Sequence, residues 1–125
     1  MNMKNLKILI VDDAPFIRDG LRRILTKAGY QVVGEADDGE KAVQMAWETK
    51  PDLVIMDIVM PLKSGVQATK EILMKNPKVK IIACSTVDQA TMLMRIMEAG
   101  AKEFINKPFN ADDVVRIIEK VTAET

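Results

Sequence analysis

Leu53-Val54-Ile55-Met56-Asp57 sets four apolar residues directly before one carboxylate, with Pro51-Asp52 on one side and Met60-Pro61 on the other. A short apolar run bounded in this way reads as a strand buried on both faces, the kind found inside a parallel sheet. Asp57 is then the first charge at the strand's carboxyl end. In open α/β sheets that edge is where ligands bind. Taken alone, Asp57 reads equally well as the start of a turn, where Asp is favoured for local hydrogen bonding.

The same pattern recurs on either side. Lys7-Ile8-Leu9-Ile10-Val11 is a buried strand that also ends in acid, Asp12-Asp13. Pro15 then opens a helix whose apolar stripe is Ile17, Leu21, Ile24, Leu25 and Ala28, stopped by Gly29. A weaker strand over 31–36 turns through Asp37-Asp38-Gly39 into a helix over 40–50 with a stripe of Val43, Ala46 and Trp47. After the central strand, Ser64 caps a helix over 65–75 that faces Ile72 and Leu73 inward. A strand over 79–84 delivers Ser85 and Thr86, and a helix over 89–99 ends at Gly100. A short strand over 103–106 runs into Lys107-Pro108, and Asn110 caps a last helix with the stripe Val114, Ile117, Ile118 and Val121. Five strands alternating with five helices through short loops predict an α/β fold, a parallel sheet with helices on both faces. Nothing is left over for a linker or second domain, so residues 1–125 read as one domain without an output domain.

Composition narrows the chemistry. Eighteen basic and eighteen acidic residues cancel, which gives no electrostatic reason to expect nucleic acid or an anionic membrane as a partner. Met1-Asn2-Met3-Lys4 begins a start without a long apolar h-region, and no run approaches a membrane span, so a cytoplasmic protein is expected. One cysteine excludes an internal disulfide. The chain has no histidine, which removes imidazole bases, His metal sites and Ser-His-Asp or Cys-His catalysis. What remains is carboxylate, hydroxyl, lysine and a hard metal.

In a parallel sheet Asp12, Asp13, Asp57, Ser85 and Lys107 all follow strand ends and meet on one edge. Three converging carboxylates repel unless compensated, and Mg²⁺ suits an all-oxygen site of this kind. Lys107 is the point charge expected beside a phosphate, and Ser85 can donate to an anionic oxygen. Together they suit phosphoryl transfer, where positioning and charge neutralisation supply most of the effect. Cys84 alternates to the face opposite Ser85 and belongs in the core.

At these residues the sequence resembles the receiver domain of two-component response regulators, in its small stand-alone chemotaxis form. The resemblance rests on Val11-Asp12-Asp13, Met56-Asp57, Met60-Pro61 with Gly65, Cys84-Ser85, Ala99-Gly100-Ala101 and Lys107-Pro108-Phe109. It implies a flavodoxin-like (βα)5 three-layer sandwich with strand order 2-1-3-4-5; that order rests on the likeness alone. It implies that Asp57 is the phosphoacceptor and that Asp13, Asp57 and the Val59 backbone carbonyl hold Mg²⁺, with Asp12 on the metal's waters. Lys107 would neutralise the phosphoryl group, and Lys107-Pro108 would be cis. Ser85 would be the switch hydroxyl and Phe104 the switch aromatic; from the residues alone, Phe104 is a half-buried core aromatic. The resemblance also implies that the positions two after the phosphoacceptor and two after the switch hydroxyl flank the approach of hydrolytic water. Here they are Val59 and Val87, neither of which hydrogen-bonds water.

The implied partners are a histidine kinase and a downstream protein such as a flagellar motor switch component, met by a monomer through its fourth helix, fifth strand and fifth helix. In the fourth helix Ala90, Leu93, Ile96 and Met97 form the expected stripe, and Met92 and Met94 widen it toward an adaptable surface. The implied role is a switch and not an enzyme, in chemotaxis or as a phosphorelay intermediate. A Mg²⁺-dependent phosphatase of the haloacid dehalogenase kind also uses a strand-end Asp, but needs a second Asp two residues on, where this chain has Val59. A nucleotide or flavin binder of the same sheet class would need a Gly-rich loop after the first strand, where Asp12-Asp13 would repel phosphate.

Overall fold

A computed structural model describes residues 5–123; residues 1–4, part of the start without an h-region, and 124–125 lie outside the described residues. Strands β1 (Lys7–Val11), β2 (Gln31–Ala36), β3 (Leu53–Asp57), β4 (Lys80–Ser85) and β5 (Glu103–Asn106) alternate with helices α1 (Pro15–Lys27), α2 (Gly39–Thr49), α3 (Gly65–Lys75), α4 (Ala90–Ala99) and α5 (Ala111–Ala123). All pairings are parallel, in the order β2-β1-β3-β4-β5. This is the expected flavodoxin-like three-layer fold.

Why β1, β3 and β4 read as unbroken apolar runs is now plain. Alternate residues of each strand go to opposite faces, and both faces are covered. Ile8, Ile10, Leu53, Ile55 and Ile82 pack with Leu21, Leu25, Val114 and Ile118 of α1 and α5. Leu9, Val11, Val54, Met56 and Ala83 pack with Val43, Ala68, Ile72 and Ile96 of α2, α3 and α4. β2 lies on an edge, is only partly buried and slips register against β1 between Ile8 and Leu9, which accounts for its weaker pattern.

Local chemistry fixes the helix starts. Ser64 Oγ accepts from Gln67 N–H and Asn110 Oδ1 from Asp113 N–H, both as expected, and Asp38 Oδ1 accepts from Lys41 N–H to start α2. α1 has no side-chain cap but places Pro15 in its first turn.

Three helices differ from their predicted faces; in the first, Ala28 lies exposed at the C-cap and not in the stripe. Trp47 is 41% exposed: Ala42 takes the core position, and the indole lies on the outer side of α2 with Lys75 Nζ 4.2 Å from its ring centroid. The fourth helix starts one residue late because Val87–Gln89 form a 3-10 turn closed by a capping box between Thr86 and Gln89. Ala90 is therefore exposed, Ile96 is the one α4 residue fully buried, Met92 and Met97 pack partly, and Met94 is open to solvent.

The β3–α3 connection sits against its neighbours so closely that two glycines are required. A Cβ on Gly65 would lie 2.0 Å from the Asp57 carbonyl oxygen, and one on Gly39 would lie 2.0 Å from that of Lys63. Gly65→Ala should cost about 1–3 kcal/mol through overpacking against backbone. Gly20→Ala, inside α1 with only Phe109 ring atoms at 3.9 Å, should gain about 0.5–1 kcal/mol. Urea unfolding of the two variants checks both signs.

Candidate functional site

β1, β3, β4 and β5 deliver the expected residues to one edge. Asp12 directly follows β1 and its N–H donates to the Ala36 carbonyl. Its Oδ1 accepts from Ala14 N–H at 2.9 Å, and its carbonyl accepts from Arg18 Nη1 at 2.7 Å. Asp57 ends β3 and accepts from its neighbour's Ile58 N–H at 2.9 Å. Asp12 and Asp57 are buried and Asp13 is exposed, and one carboxylate oxygen of each lies within 4.8 Å of the others.

Lys107 reaches this cluster from just beyond β5. Its N–H donates to the Ser85 carbonyl at 2.7 Å, and the Lys107-Pro108 bond is cis, as the resemblance implied. Its Nζ hydrogen-bonds Asp57 Oδ1 at 3.1 Å and lies 2.8 Å from Asp12 Oδ2. The second contact is a close ion pair, and this buried Asp12 oxygen has no other partner than Lys107. One ammonium against three carboxylates leaves two negative charges. A buried carboxylate oxygen that must share one ammonium, in an all-oxygen, acid-rich cluster, fits a hard divalent cation.

The electrostatics follow from burial. Desolvation, and then the charge of Asp12, push Asp57 up to about 6, while Lys107 and the Ile58 N–H hold it back. Burial alone would lower the Lys107 ammonium, but the hydrogen bonds and charges of Asp12 and Asp57 together outweigh it and raise it. Cys84 is buried on the α1–α5 side and pushed up to about 12 by desolvation, so it is an inert core thiol.

Ser85 is the buried last residue of β4. It lies one position beyond Cys84, the register partner of Asp57. Phe104 pairs with Ala83, two residues before Ser85, so Ser85 and Phe104 share the sheet face that α4 covers. Phe104 is half-buried there, which agrees with its reading as a core aromatic. Val59 and Val87 are 53% and 81% exposed on the β3–α3 and β4–α4 connections. The Asp88 carboxylate beside Val87 accepts from the Thr86 hydroxyl.

Three supports of this site are not foreseen from the sequence: the Arg18 contact to the Asp12 carbonyl, the Ile58 N–H on Asp57, and the ion pairs of Lys63 beside the β3–α3 connection. The first joins residues six apart across a strand-to-helix turn and has no periodic signal.

Acids in place of a Gly-rich loop after β1 separate this chain from nucleotide binders with the same sheet. The chain belongs to the response regulator receiver domain family, whose pattern it matches over residues 8–119. It is 50% identical to the chemotaxis protein CheY of Thermotoga maritima over 93% of this chain and 97% of that protein. It is 48% identical to the chemotaxis protein CheY of Bacillus subtilis, over 91% and 95% of the two chains. The crystal structure of Vibrio cholerae chemotaxis protein CheY4 matches with a TM-score of 0.86 and 28% identity, over 94% of this chain and 98% of that one.

The raised Asp57 carboxyl has a consequence for stability. It titrates near 3.8 unfolded and near 6 folded, so the folded state holds an extra proton between those values. Stability therefore falls as pH rises through that window, and the penalty is complete above it. Asp57→Asn should stabilise the metal-free protein at pH 7 by on the order of 1–3 kcal/mol, and the gain should vanish near pH 4. Urea unfolding at the two pH values measures it; an equal gain at both would contradict the assignment.

Proposed function

We propose that the protein is a phosphorylation-controlled switch of chemotaxis, taking a phosphoryl group from a histidine kinase onto Asp57. The observation that carries this is Asp57 itself: a buried strand-end carboxylate, hydrogen-bonded by Lys107, with Asp12 and Asp13 within 4.8 Å. An Asp57 oxygen attacks phosphorus and forms the O–P bond, the P–N bond to the donor imidazole breaks, and the imidazole leaves with the electron pair. Lys107 Nζ, already on Asp57 Oδ1, meets the negative charge that arrives on the phosphoryl oxygens. Mg²⁺, held by Asp13, Asp57 and the Val59 carbonyl with Asp12 on its waters, would supply charge neutralisation and alignment of the phosphoryl oxygens.

Ser85 then hydrogen-bonds a phosphoryl oxygen, and Phe104, on the same face of the sheet, turns into the space this opens. The α4–β5–α5 surface carries the result to a partner in trans, such as a flagellar motor switch component. Support for the chemotaxis setting comes from the two CheY relatives and from the half-packed, Met-bearing α4. A cytoplasmic location goes with such partners; no described helix is long and apolar enough to cross a membrane. A phosphatase reading is disfavoured because position 59 is an exposed valine where an acid would have to stand.

Acetyl phosphate with Mg²⁺ should add one phosphoryl group, and Asp57→Asn should abolish it, as read by intact-protein mass spectrometry. A labelled Asp57→Asn variant would sink the assignment. Lys107→Ala should keep Mg²⁺ binding while impairing phosphorylation or switching.

The phosphoryl group should also be long-lived for this family. Val59 and Val87 flank the path of an in-line water and can neither donate to it nor accept from it. A positioned polar group is typically worth ~10²–10⁴ in rate, so restoring part of that is measurable. Val59→Asn and Val87→Glu should each hasten decay after donor removal, and the pair more so. A double variant that decays no faster than the parent would show that the valines do not set the lifetime.

A further inference from the structure

The loop of residues 58–64 leaves Asp57, carries Val59 and contains one charged residue, Lys63. Its backbone folds back on itself: Gly65 N–H donates to the Ile58 carbonyl and Lys63 N–H to the Pro61 carbonyl, both at 2.7 Å. Leu62 sits at φ 69, a left-handed conformation unfavourable for a branched side chain, so the surroundings must hold it. The Lys63 side chain is 17% exposed, low for lysine. Its Nζ lies 2.7 Å from Glu71 Oε2 and 2.8 Å from Oε1 in the middle of α3, and 3.4 Å from Glu40 Oε1 in the first turn of α2. Glu71 is held in turn by Gln67 Nε2 at 3.1 Å. Beneath, the Lys63 carbonyl abuts Gly39, so backbone and side chain pin the loop to the same helix start.

This arrangement matters because of what the loop carries two residues past Asp57. Mg²⁺ demands near-ideal octahedral geometry, so a ligand displaced by a fraction of an ångström binds poorly. A carboxylate on a rigid strand is positioned by the sheet, whereas a carbonyl on a strained loop is positioned only by what ties the loop down. We propose that Lys63 is a positioning residue: clamped between Glu40 and Glu71, it fixes the 58–64 loop so that the Val59 carbonyl stays in register with Asp13 and Asp57. This rests on the reading of Asp13, Asp57 and the Val59 carbonyl as Mg²⁺ ligands. An ion-pair network at the protein surface adds little to global stability. The effect therefore belongs to the loop and the metal, and not to the melting point.

The test compares the parent with Lys63→Met, which keeps the aliphatic stem, and Lys63→Arg, which keeps the charge. Amide hydrogen exchange of residues 58–65 without metal should quicken in Lys63→Met while the central strands stay protected. Calorimetric Mg²⁺ affinity should fall about tenfold, the lower end of what outer supports of a metal site contribute. Phosphorylation by acetyl phosphate should slow at limiting Mg²⁺ and recover at saturating Mg²⁺, and Lys63→Arg should restore both affinity and exchange. Unchanged loop exchange and Mg²⁺ affinity within twofold of the parent would overturn the proposal, as would a phosphorylation defect that saturating Mg²⁺ leaves in place. Should Lys63→Met fail to fold, Glu71→Gln carries the same expectations and the same power to refute. A parent that binds no Mg²⁺ would overturn the metal reading itself, and is separated from failure at Lys63 by the metal-free exchange data.

Discussion

One ammonium faces more negative charge than it can balance, and the rest of the molecule is arranged around that fact. Lys107 hydrogen-bonds Asp57 and pairs with Asp12 at the dry end of a parallel sheet, with Asp13 close by. Buried carboxylates at this spacing would separate if they stood on mobile loops. Asp12 and Asp57 instead extend or end β1 and β3, which pair along their length and have both faces packed. The sheet holds the acids together against their repulsion. The cost is visible in the raised Asp57 carboxyl, and it is what makes the edge receptive to positive charge.

The same sheet gives that edge a way to be read. Ser85 at the end of β4 and Phe104 in β5 lie on one face, under α4. α4 is the least anchored of the five helices by its core contribution: Ile96 is its one fully buried residue, against two or more in each of the others. Elements with few buried apolar contacts are those that move at low free-energy cost. Its remaining contacts come largely from Met92, Leu93 and Met97, and methionine repacks without a fixed shape to defend. If Ser85 is the switch hydroxyl, a change there has only a loosely held helix to displace.

Much of this is legible in the sequence, for a physical reason. Strands buried on both faces must be apolar throughout, so β1, β3 and β4 stand out, and the first polar residue after each is forced to the edge: Asp12, Asp57, then Ser85 and Thr86. Lys107 follows β5, a short edge strand that ends on the same side of the sheet. Trp47 is misplaced by its spacing because periodicity separates the faces of α2 but does not tell core from the flank where Lys75 covers the ring. The late start of α4 has a local signal in Thr86-x-x-Gln89, a capping-box pattern that apolar periodicity merges into the helix. Lys63 has none. Its partners lie in two different helices, and only the folded chain brings Glu40 and Glu71 to one ammonium.

The charges around Asp57 also bear on how, on the proposed reading, such a site would work as a switch. Hydrolysis of an acyl phosphate needs a group free to orient or deprotonate water in line with the O–P bond. There is no histidine in the chain, and Cys84 is an inert thiol on the far face of β4. Asp12 is committed to the Ala14 N–H and to Lys107, and Asp13 is a candidate metal ligand. Asp88, an acid on the β4–α4 connection, is engaged by the Thr86 hydroxyl, and the two positions proposed to flank the water's path are exposed valines. Each of these acids thus has a use other than proton transfer to water. On the proposed reading, a phosphoryl group on Asp57 would meet few groups free to speed its loss, and lifetime is the property a signalling switch would need from it.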